Sequence, residues 1–439
     1  MKPTRVLLLL ALLLGGSALA FCGFYVAKAD TELFNESSKV ILARDGNRTI
    51  LTMANDYQGE VEDFALVVPV PVILDESQIQ VGDPALLERI DAYSAPRLVE
   101  YFDDDPCAPI LYDEPEALST PLPEAADSQQ RANALGVTIE EQFTKGEYDI
   151  LILSAEESGG LETWLTENGY QIPAGASDVL QSYIGQGMKF FVARINLEAF
   201  EAGGYEFLRP LVMAFESESF MLPIQLGMVN AAGPQDLVIY LLSPEGRVEL
   251  SNYPVVPIPS DVTLPEFIEE DFGDFYQTMF QQSYEREGRD AVFLEYAWDM
   301  SGCDPCAADP LSAVELLRAG VFWWEQSTDA VIPLPNVYLT RLHVRYTEDE
   351  FPEDLMFRVT DNRENFQGRY ILQRPFEGEL TCDEAEAYVQ NVQTRQTQEA
   401  RTLANLTGWD LQDIRAQMPP FNPSIATPPW WERVFESLD

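Results

Sequence analysis

Short stretches rich in β-branched and aromatic residues, separated by turn residues, recur along most of the chain. The first four read FYVAKA, KVILARDG, RTILTMAND and FALVVPVPVIL. This length and composition are typical of strands. Asp45 and Gly46 separate the second stretch from the third and predict a hairpin, because both residues tolerate the positive φ of a tight turn. The fourth stretch contains Pro69 and Pro71 and is too short to span a membrane, so it also predicts a strand.

The same pattern continues through the second half of the chain. Between Arg209 and Ile258 the sequence RPLVMAFES, FMLPIQLGMV, QDLVIYLLS and RVELSNYPVV predicts four evenly spaced strands, as in a meander or a sandwich. Further strands are predicted at Tyr148–Ser154, Lys189–Leu197, Ala291–Met300, Asn336–Tyr346, Leu355–Thr360 and Gly368–Leu372.

Helical periodicity is confined to a few segments between these strands. Asp83 and Pro84 predict an N-cap and a first helical residue, because Asp accepts from free backbone N–H groups and Pro lacks one. Predicted helices cover Pro84–Tyr93, Gly160–Asn168, Ser177–Tyr183, Phe267–Gln282, Asp309–Arg318 and Asp383–Leu406. The fold class expected is therefore α+β and β-rich, with antiparallel sheets, a sandwich-like portion and peripheral helices.

The first twenty residues have the three parts of a secretory signal. Lys2 and Arg5 supply positive charge, Val6 to Leu14 is an apolar run, and Ala18-Leu19-Ala20 supplies small residues for cleavage. A retained anchor is an alternative, and so is a lipoprotein at Cys22, although Phe21 stands where that signal needs a small residue. We expect cleavage after Ala20 and export to the periplasm or the exterior.

A chain of 439 residues is too long for one small core. We expect a signal peptide at 1–20, an α+β domain at 21–200 and a β-rich domain containing the C-x-x-C motif at 201–376. A C-terminal helix with a Pro- and Trp-rich tail would occupy 377–439. After signal cleavage no segment is apolar for long enough to predict a transmembrane span.

The chain is strongly negative, and this charge limits the partners that it can bind. Asp and Glu number 73 against 27 Lys and Arg, a formal net charge of −46. Such a chain repels phosphate, which excludes nucleic acid and anionic membrane surfaces as bulk electrostatic partners. Scarce lysine with abundant acid indicates a saline habitat. One alternative is an acidic envelope protein of ordinary habitat. The other is calcium binding at Glu269, Glu270, Asp271 and Asp274, although the spacing of these acids differs from a calcium loop.

Five cysteines remain after the predicted cleavage: Cys22, Cys107, Cys303, Cys306 and Cys382. In an oxidising compartment, structural disulfides are the leading interpretation, and the odd number leaves one thiol over. The C-x-x-C at Cys303 and Cys306 also fits a redox dithiol. A third possibility is a zinc site that Cys107 and Cys382 would complete with two more thiolates.

Few residues offer catalytic chemistry. His343 is the single histidine, and a histidine on a strand is more often packed or hydrogen-bonded than catalytic. Glu295 and Asp299 share a face of their strand by alternation, but about 13 Å separates them. A glycosidase pair needs about 5–9.5 Å, so these two alone do not form one, and solvated charge is the better account of most acids in the chain. No nucleotide, zinc-protease or serine-hydrolase motif is present.

These observations favour a non-enzymatic binding or structural protein without a cofactor. Its partner would be another protein or a small ligand in the cell envelope. The alternatives are a thiol-disulfide oxidoreductase at Cys303 and Cys306, and an acid-based hydrolase with two carboxylates close together.

Many stretches together resemble a bacterial family, domain-of-unknown-function family 2330. Among them are TILTMANDYQGE, DFALVVPVP, QGMKFFVARINL, LPIQLGMVNAAGPQ, CDPCAADPLS and TRLHVRYTEDEFPEDLMF. The resemblance extends from Phe21 to about Phe376. It implies an exported protein with the C-x-x-C as a family feature, and it implies no activity.

Overall fold

A computed structural model describes most of the chain. The described residues are 24–27, 34–35, 38–54, 57–58, 64–107, 137–168, 172, 175–204, 208–229, 233–302, 304, 309–324, 336–423 and 425. The predicted signal peptide and the tryptophan pair near the C-terminus lie outside them. Within the described part, no helix combines the length and the apolar character needed to cross a bilayer.

Strands make up most of the regular structure. They are β1 (Phe24–Ala27), β2 (Phe34–Asn35), β3 (Ser38–Asp45), β4 (Arg48–Ala54), β5 (Tyr57–Gln58), β6 (Phe64–Val70), β7 (Ile79–Val81), β8 (Arg97–Phe102), β9 (Val137–Lys145), β10 (Tyr148–Ala155), β11 (Lys189–Ile195), β12 (Leu211–Glu216), β13 (Met221–Leu222), β14 (Gln235–Ser243), β15 (Val248–Leu250), β16 (Val255–Pro257), β17 (Val262–Leu264), β18 (Val292–Asp299), β19 (Tyr338–Tyr346), β20 (Leu355–Val359), β21 (Phe366–Gln367) and β22 (Arg369–Arg374).

Helices lie between these strands and after the last one. They are α1 (Pro84–Ser94), α2 (Ser158–Glu167), α3 (Ala176–Gly185), α4 (Leu197–Gly203), α5 (Gln225–Val229), α6 (Phe272–Arg286), α7 (Ala313–Arg318), α8 (Ala385–Thr407) and α9 (Leu411–Gln417). Two short 3₁₀ helices occupy Glu76–Gln78 and Glu266–Glu269.

Two large sheets pack face to face. A nine-stranded sheet has the order β16-β18-β19-β14-β3-β4-β12-β7, with β21 paired to β18, and a five-stranded sheet has the order β1-β6-β11-β10-β9. Alternate residues of both sheets form one apolar cluster. It includes Leu42 and Ile239 from the larger sheet and Val68 and Phe191 from the smaller one. Burial of this shared surface supplies the main apolar core of the fold.

Helices cover the outer faces of both sheets. On the five-stranded sheet, α2 and α3 bury Leu161, Leu165 and Leu180 against the residues that point away from the shared core. On the nine-stranded sheet, α1 and the segment around α7 cover one half of the outer face, and α6 covers the other half. α8 packs against α6 and against β17 of a smaller sheet. The result is four layers, in the order helix, sheet, sheet, helix.

Three smaller sheets complete the described structure. They have the orders β13-β20-β15, β17-β22-β8 and β2-β5. In the second of these, β22 pairs in parallel with both β17 and β8, so the C-terminal region is joined to strands from earlier in the chain.

The α+β, β-rich class is confirmed, and so are several local predictions. β3 and β4 form the predicted hairpin, in which Gly46 has a φ of 56°. Asp83 caps α1 by accepting from the N–H of Ala85 at 3.1 Å, and Pro84 begins the helix. These features depend on neighbouring residues only, which is why the sequence signals them.

The prediction of four consecutive strands between Arg209 and Ile258 is wrong in two respects. FMLPIQLGMV contains only the two-residue β13 and then the short helix α5. In addition, β12 and β14 are not neighbours, because β3 and β4 lie between them and β14 pairs in parallel with β3. That pairing joins residues about two hundred positions apart, for which the local pattern carries no signal.

Two helix boundaries also differ from prediction. The helix expected from Asp309 begins only at Ala313, because Ser312 caps it and forms a capping box with Glu315. The helix expected at Phe267 is a 3₁₀ turn followed by α6. The division into domains at residues 200 and 376 stays a prediction; strands from both sides of residue 200 share the nine-stranded sheet.

Candidate functional site

A cavity of about 550 Å³ opens at one edge of the nine-stranded sheet, and we call it the edge groove. Its floor is a row of three residues in register across β4, β12 and β7, namely Thr52, Val212 and Gln80. The first turn of α1 forms one wall, and the end of α7 contributes Arg318. The volume lies within the range of small-ligand sites, about 300–1,000 Å³.

The hydroxyl of Thr52 is the most informative group in the edge groove. The residue is 2% exposed, and its Oγ1 makes no hydrogen bond with any residue that the structure describes. By contrast, the Oγ1 of the buried Thr340 accepts from the N–H of Val248 at 3.1 Å. A buried polar group without a partner costs about 1–3 kcal/mol, so a hydrogen-bond partner for this hydroxyl would add stability.

Arg209 lines the same cavity, and hydrogen bonds to Glu147 fix the position of its side chain. Its Nη2 donates to Glu147 at 2.6 Å, and its backbone N–H donates to the same carboxylate at 3.0 Å. The side chain of Glu147 is fully buried. Gly146 has a φ of 56°, and a Cβ there would lie 2.7 Å from Nη2 of Arg209, so glycine makes room for the guanidinium.

An exposed ion pair forms the rim of the edge groove. Arg318 Nη1 lies 3.7 Å from Asp83 Oδ2, and the two side chains are 62% and 53% exposed. A pair of this kind contributes little to stability, because water solvates both charges well. Its partners can therefore exchange for a ligand at small cost.

A second polar site lies on the same face of the sheet, and we call it the charge ladder. Its seven side chains alternate in sign: Lys39, Asp91, Arg341, Glu295, His343, Asp236 and Arg345. The nearest nitrogen-to-oxygen distances along this series are 2.6, 2.5, 2.5, 2.7, 3.4 and 2.5 Å. Asp91 is on α1, and the other members are on adjacent strands of the nine-stranded sheet.

Two helices close the charge ladder from above. α1 supplies Asp91, and α6 supplies Tyr276, whose hydroxyl donates to Glu295. The ring of Phe280, also on α6, stacks on His343 with 4.0 Å between the ring centres. Glu295 is only 1% exposed as a result. The expectation of a packed, hydrogen-bonded His343 is confirmed, and Glu295 is an exception to the expectation that most acids of the chain are solvated.

A β-bulge places Glu295 in the charge ladder. The register between β18 and β19 shifts between Leu294 and Tyr296, so Glu295 is the extra residue. A bulge turns two successive residues to one face, which breaks the simple alternation along the strand. Glu295 and Asp299 therefore do not share a face, and Asp299 pairs with Arg363 at 2.6 Å instead.

The charge ladder fixes the protonation states of its members. Burial alone would raise the pKa of Glu295, but the charges of Arg341 and His343 outweigh it and lower the pKa to about 2. Burial alone would lower the pKa of His343, but Glu295 and Asp236 raise it to about 9. At neutral pH the histidine is therefore a cation that pairs with the carboxylates on both sides of it.

The cysteines divide into two groups. Cys107 and Cys382 form a disulfide with a Cα–Cα distance of 5.5 Å, so neither is available as a thiolate for the four-cysteine zinc site. Cys22, Cys303 and Cys306 lie outside the described residues. Asp304, inside the C-x-x-C, is 5% exposed and accepts hydrogen bonds from Tyr296 at 3.0 Å and Gln367 at 2.8 Å.

The four calcium candidates lie around the start of α6. Glu269 pairs with Arg374 at 2.5 Å, Asp271 directly precedes α6, and Asp274 is in its first turn. Glu270 ends the preceding 3₁₀ turn. Within the described ranges, no three Asp, Glu, His or Cys side chains are grouped so that they could hold a metal ion.

The fold and the two sites define an α+β protein of two packed sheets with a closed charge network and an open groove. The chain belongs to domain-of-unknown-function family 2330, described as an uncharacterized protein conserved in bacteria, whose family model matches residues 16–358. Comparisons with curated proteins and with solved structures gave no match. Cys107 lies within the matched range and Cys382 beyond it.

Sequence reasoning did not identify Thr52, Arg209 or Arg318, because nothing local distinguishes them from other polar residues. Part of the charge ladder could be recognised in the sequence. Arg341, His343 and Arg345 alternate with apolar residues in RLHVRY, which indicates one polar face on a strand. The burial of that face by α1 and α6 is a tertiary property.

Proposed function

We propose that this chain is an exported binding protein of the bacterial cell envelope, without a catalytic role, and that it binds a small ligand in the edge groove. The observation that carries the proposal is the buried hydroxyl of Thr52 on the groove floor, which has no partner among the described residues. The guanidinium of Arg209, fixed by Glu147, supports it as a second oriented polar group.

The charge ladder supports the non-catalytic part of the proposal. It gathers the only histidine with three carboxylates, the residue types that acid–base chemistry uses most. Yet Glu295 and Arg341 are 1% and 7% exposed, and each is already bonded to neighbours of opposite charge. These contacts leave Glu295 and Arg341 little free hydrogen-bonding capacity for a substrate.

Two observations support export. The first twenty residues have the pattern of a secretory signal. The disulfide between Cys107 and Cys382 fits an oxidising compartment, where such bonds persist. The proposal therefore places the mature chain in the periplasm or outside the cell. Mass spectrometry of the mature protein would test this, with Phe21 as the expected N-terminus.

A ligand screen tests the binding proposal. Wild-type protein would be screened by thermal shift against small organic acids, amines, sugars and amides. Gln80→Trp is the matched variant, because Gln80 is exposed on the edge strand β7 and the larger ring would fill the groove. Tyr101→Trp is the control, because Tyr101 is 42% exposed on the edge strand β8 of another sheet.

The expected result is a ligand that raises the melting temperature of the wild type and of Tyr101→Trp but not of Gln80→Trp. If no compound in the screen distinguishes Gln80→Trp from the other two proteins, the groove is not a binding site and the proposal is wrong.

A thiol-disulfide oxidoreductase at Cys303 and Cys306 is the second candidate. The disulfide between Cys107 and Cys382 favours it, because that bond leaves Cys303 and Cys306 with only each other and Cys22 as partners. Alkylation before and after graded reduction would decide. A Cys303–Cys306 bond that a mild reductant opens and an oxidant restores supports the redox function, and a bond that resists reduction supports a structural role.

A further inference from the structure

We infer that the edge groove takes a small monocarboxylate with an apolar body. This inference rests on the proposed binding function and names the chemical class of the ligand. It combines the hydroxyl of Thr52, which has no partner among the described residues, with the two arginines and the apolar residues that line the cavity.

The charges facing the groove favour an anion. Arg209 and Arg318 both line the cavity, whereas Asp83 is the one carboxylate among the described residues that does so. Glu147 is fully buried behind Arg209 and does not line the cavity. In a chain with 73 acidic and 27 basic residues, two guanidinium groups at one cavity are a local enrichment of cationic side chains.

The hydroxyl of Thr52 adds a donor on the floor. A hydroxyl can donate to a carboxylate oxygen, and a guanidinium can donate to the same group. Asp83 already accepts from the N–H of Ala85 at 3.1 Å and pairs with Arg318, so it has less capacity for a cationic ligand. The polar groups of the groove therefore match an acceptor-rich, singly charged ligand group.

The apolar residues that line the groove favour a ligand whose body is apolar. Val81, Pro84, Leu86 and Val212 present apolar surface to the cavity. A second carboxylate would have to lie against these side chains or near Asp83, where its desolvation is not compensated. An aliphatic body gains from burial at the same position.

Three probes of matched size test the inference by calorimetry: hexanoate, hexanamide and hexylammonium. Hexanoate is expected to bind at least about tenfold more tightly than the other two, because only it pairs with the arginines. Arg318→Gln should weaken hexanoate binding about tenfold. Arg358→Gln is the control, because Arg358 is 61% exposed in an ion pair on another sheet and should leave binding unchanged.

Thr52→Val and Thr52→Ser separate the hydroxyl from the shape of the side chain. Valine should weaken hexanoate binding about fivefold, and serine should retain it, because only serine keeps the donor. Equal loss in both variants would show that the hydroxyl does not bind the ligand, and it would overturn the inference.

The outcomes also separate this inference from the proposed function. If hexanamide or hexylammonium binds as tightly as hexanoate and Gln80→Trp abolishes it, the groove binds ligands but the carboxylate class is wrong. If hexanoate binds Gln80→Trp and wild type equally, its site lies elsewhere and both are wrong. If millimolar hexanoate does not bind at all, the carboxylate inference is overturned, and the wider screen decides the proposed function.

Discussion

The charge ladder and the edge groove lie on the same outer face of the nine-stranded sheet, but their buried polar groups differ in whether they have partners. In the charge ladder, Arg341 has a carboxylate on each side at 2.5 Å and two helices above it. In the edge groove, the hydroxyl of Thr52 is also buried but has no partner in the described part of the chain. Among the described residues, the first site is fully paired and the second is not.

The difference separates a structural role from the proposed binding role. Desolvating a charge is costly, and the loss is recovered only when every charge has opposite neighbours at short distance. The charge ladder meets this condition and joins α1 and α6 to the sheet. The edge groove leaves a hydroxyl unsatisfied at a modest cost, which a ligand can recover on binding. Substitutions at four positions test this contrast.

Removal of one carboxylate should break the charge ladder. Glu295→Ala leaves Arg341 and His343 buried without their shared partner, so the free energy of unfolding should fall by about 3–5 kcal/mol. Denaturant unfolding at pH 7 measures it. Glu249→Ala is the control, because Glu249 pairs with Arg358 at the surface and its loss should cost less than about 1 kcal/mol. Similar losses in the two variants would contradict the contrast between closed and exposed pairs.

Alkaline pH should weaken the charge ladder through His343. Its pKa is raised from the ordinary value of 6.5 to about 9 in the fold, so folding takes up a proton between these values. The stabilisation is fully present below pH 6.5 and is lost as the pH rises through 9, by about 3 kcal/mol. His343→Gln should flatten the unfolding free energy between about pH 6 and 10. An identical pH slope in both proteins would exclude His343 as its cause.

Glu399 on α8 is buried like the charge ladder, at 6% exposure, but its charge is less well paired. Its Oε1 lies 3.5 Å from Nε of Arg395. Burial raises its pKa to about 7, against the opposing charge of Arg395. The resulting stabilisation is present below pH 4.5 and is lost as the pH rises through 7. Glu399→Gln should therefore stabilise the fold by about 1–2 kcal/mol at pH 8. The gain should vanish at about pH 4, and a gain at both values would rule out ionisation as the cause.

The smallest effect should come from the groove floor. Thr52→Val removes a buried hydroxyl that has no partner among the described residues, so the free energy of unfolding should stay the same or rise by up to about 1 kcal/mol. Thr340→Val is the matched variant, because it leaves the N–H of Val248 without its acceptor and should cost about 1–3 kcal/mol. Equal losses in the two variants would show that Thr52 already has a partner in the protein.

Much of the local structure could be predicted, and little of either site could. The hairpin at Gly46 and the cap at Asp83 follow from the conformations and hydrogen bonds that single residues prefer. The bulge at Glu295 has no such signal, because it depends on how β18 pairs with β19. Alternation alone therefore placed Glu295 and Asp299 on one face, and the structure separates them.

The strand-rich character, the strong negative charge, the local turns and caps, and the family of the chain can all be read from the amino-acid sequence. The identity of neighbouring strands, the burial of particular acids and the hydroxyl without a partner follow only from the folded chain. Turns and caps are local because residues a few positions apart form them. The charge ladder instead joins Lys39 on β3 to Arg345 on β19, and its charges are compensated only when the strands between them pair.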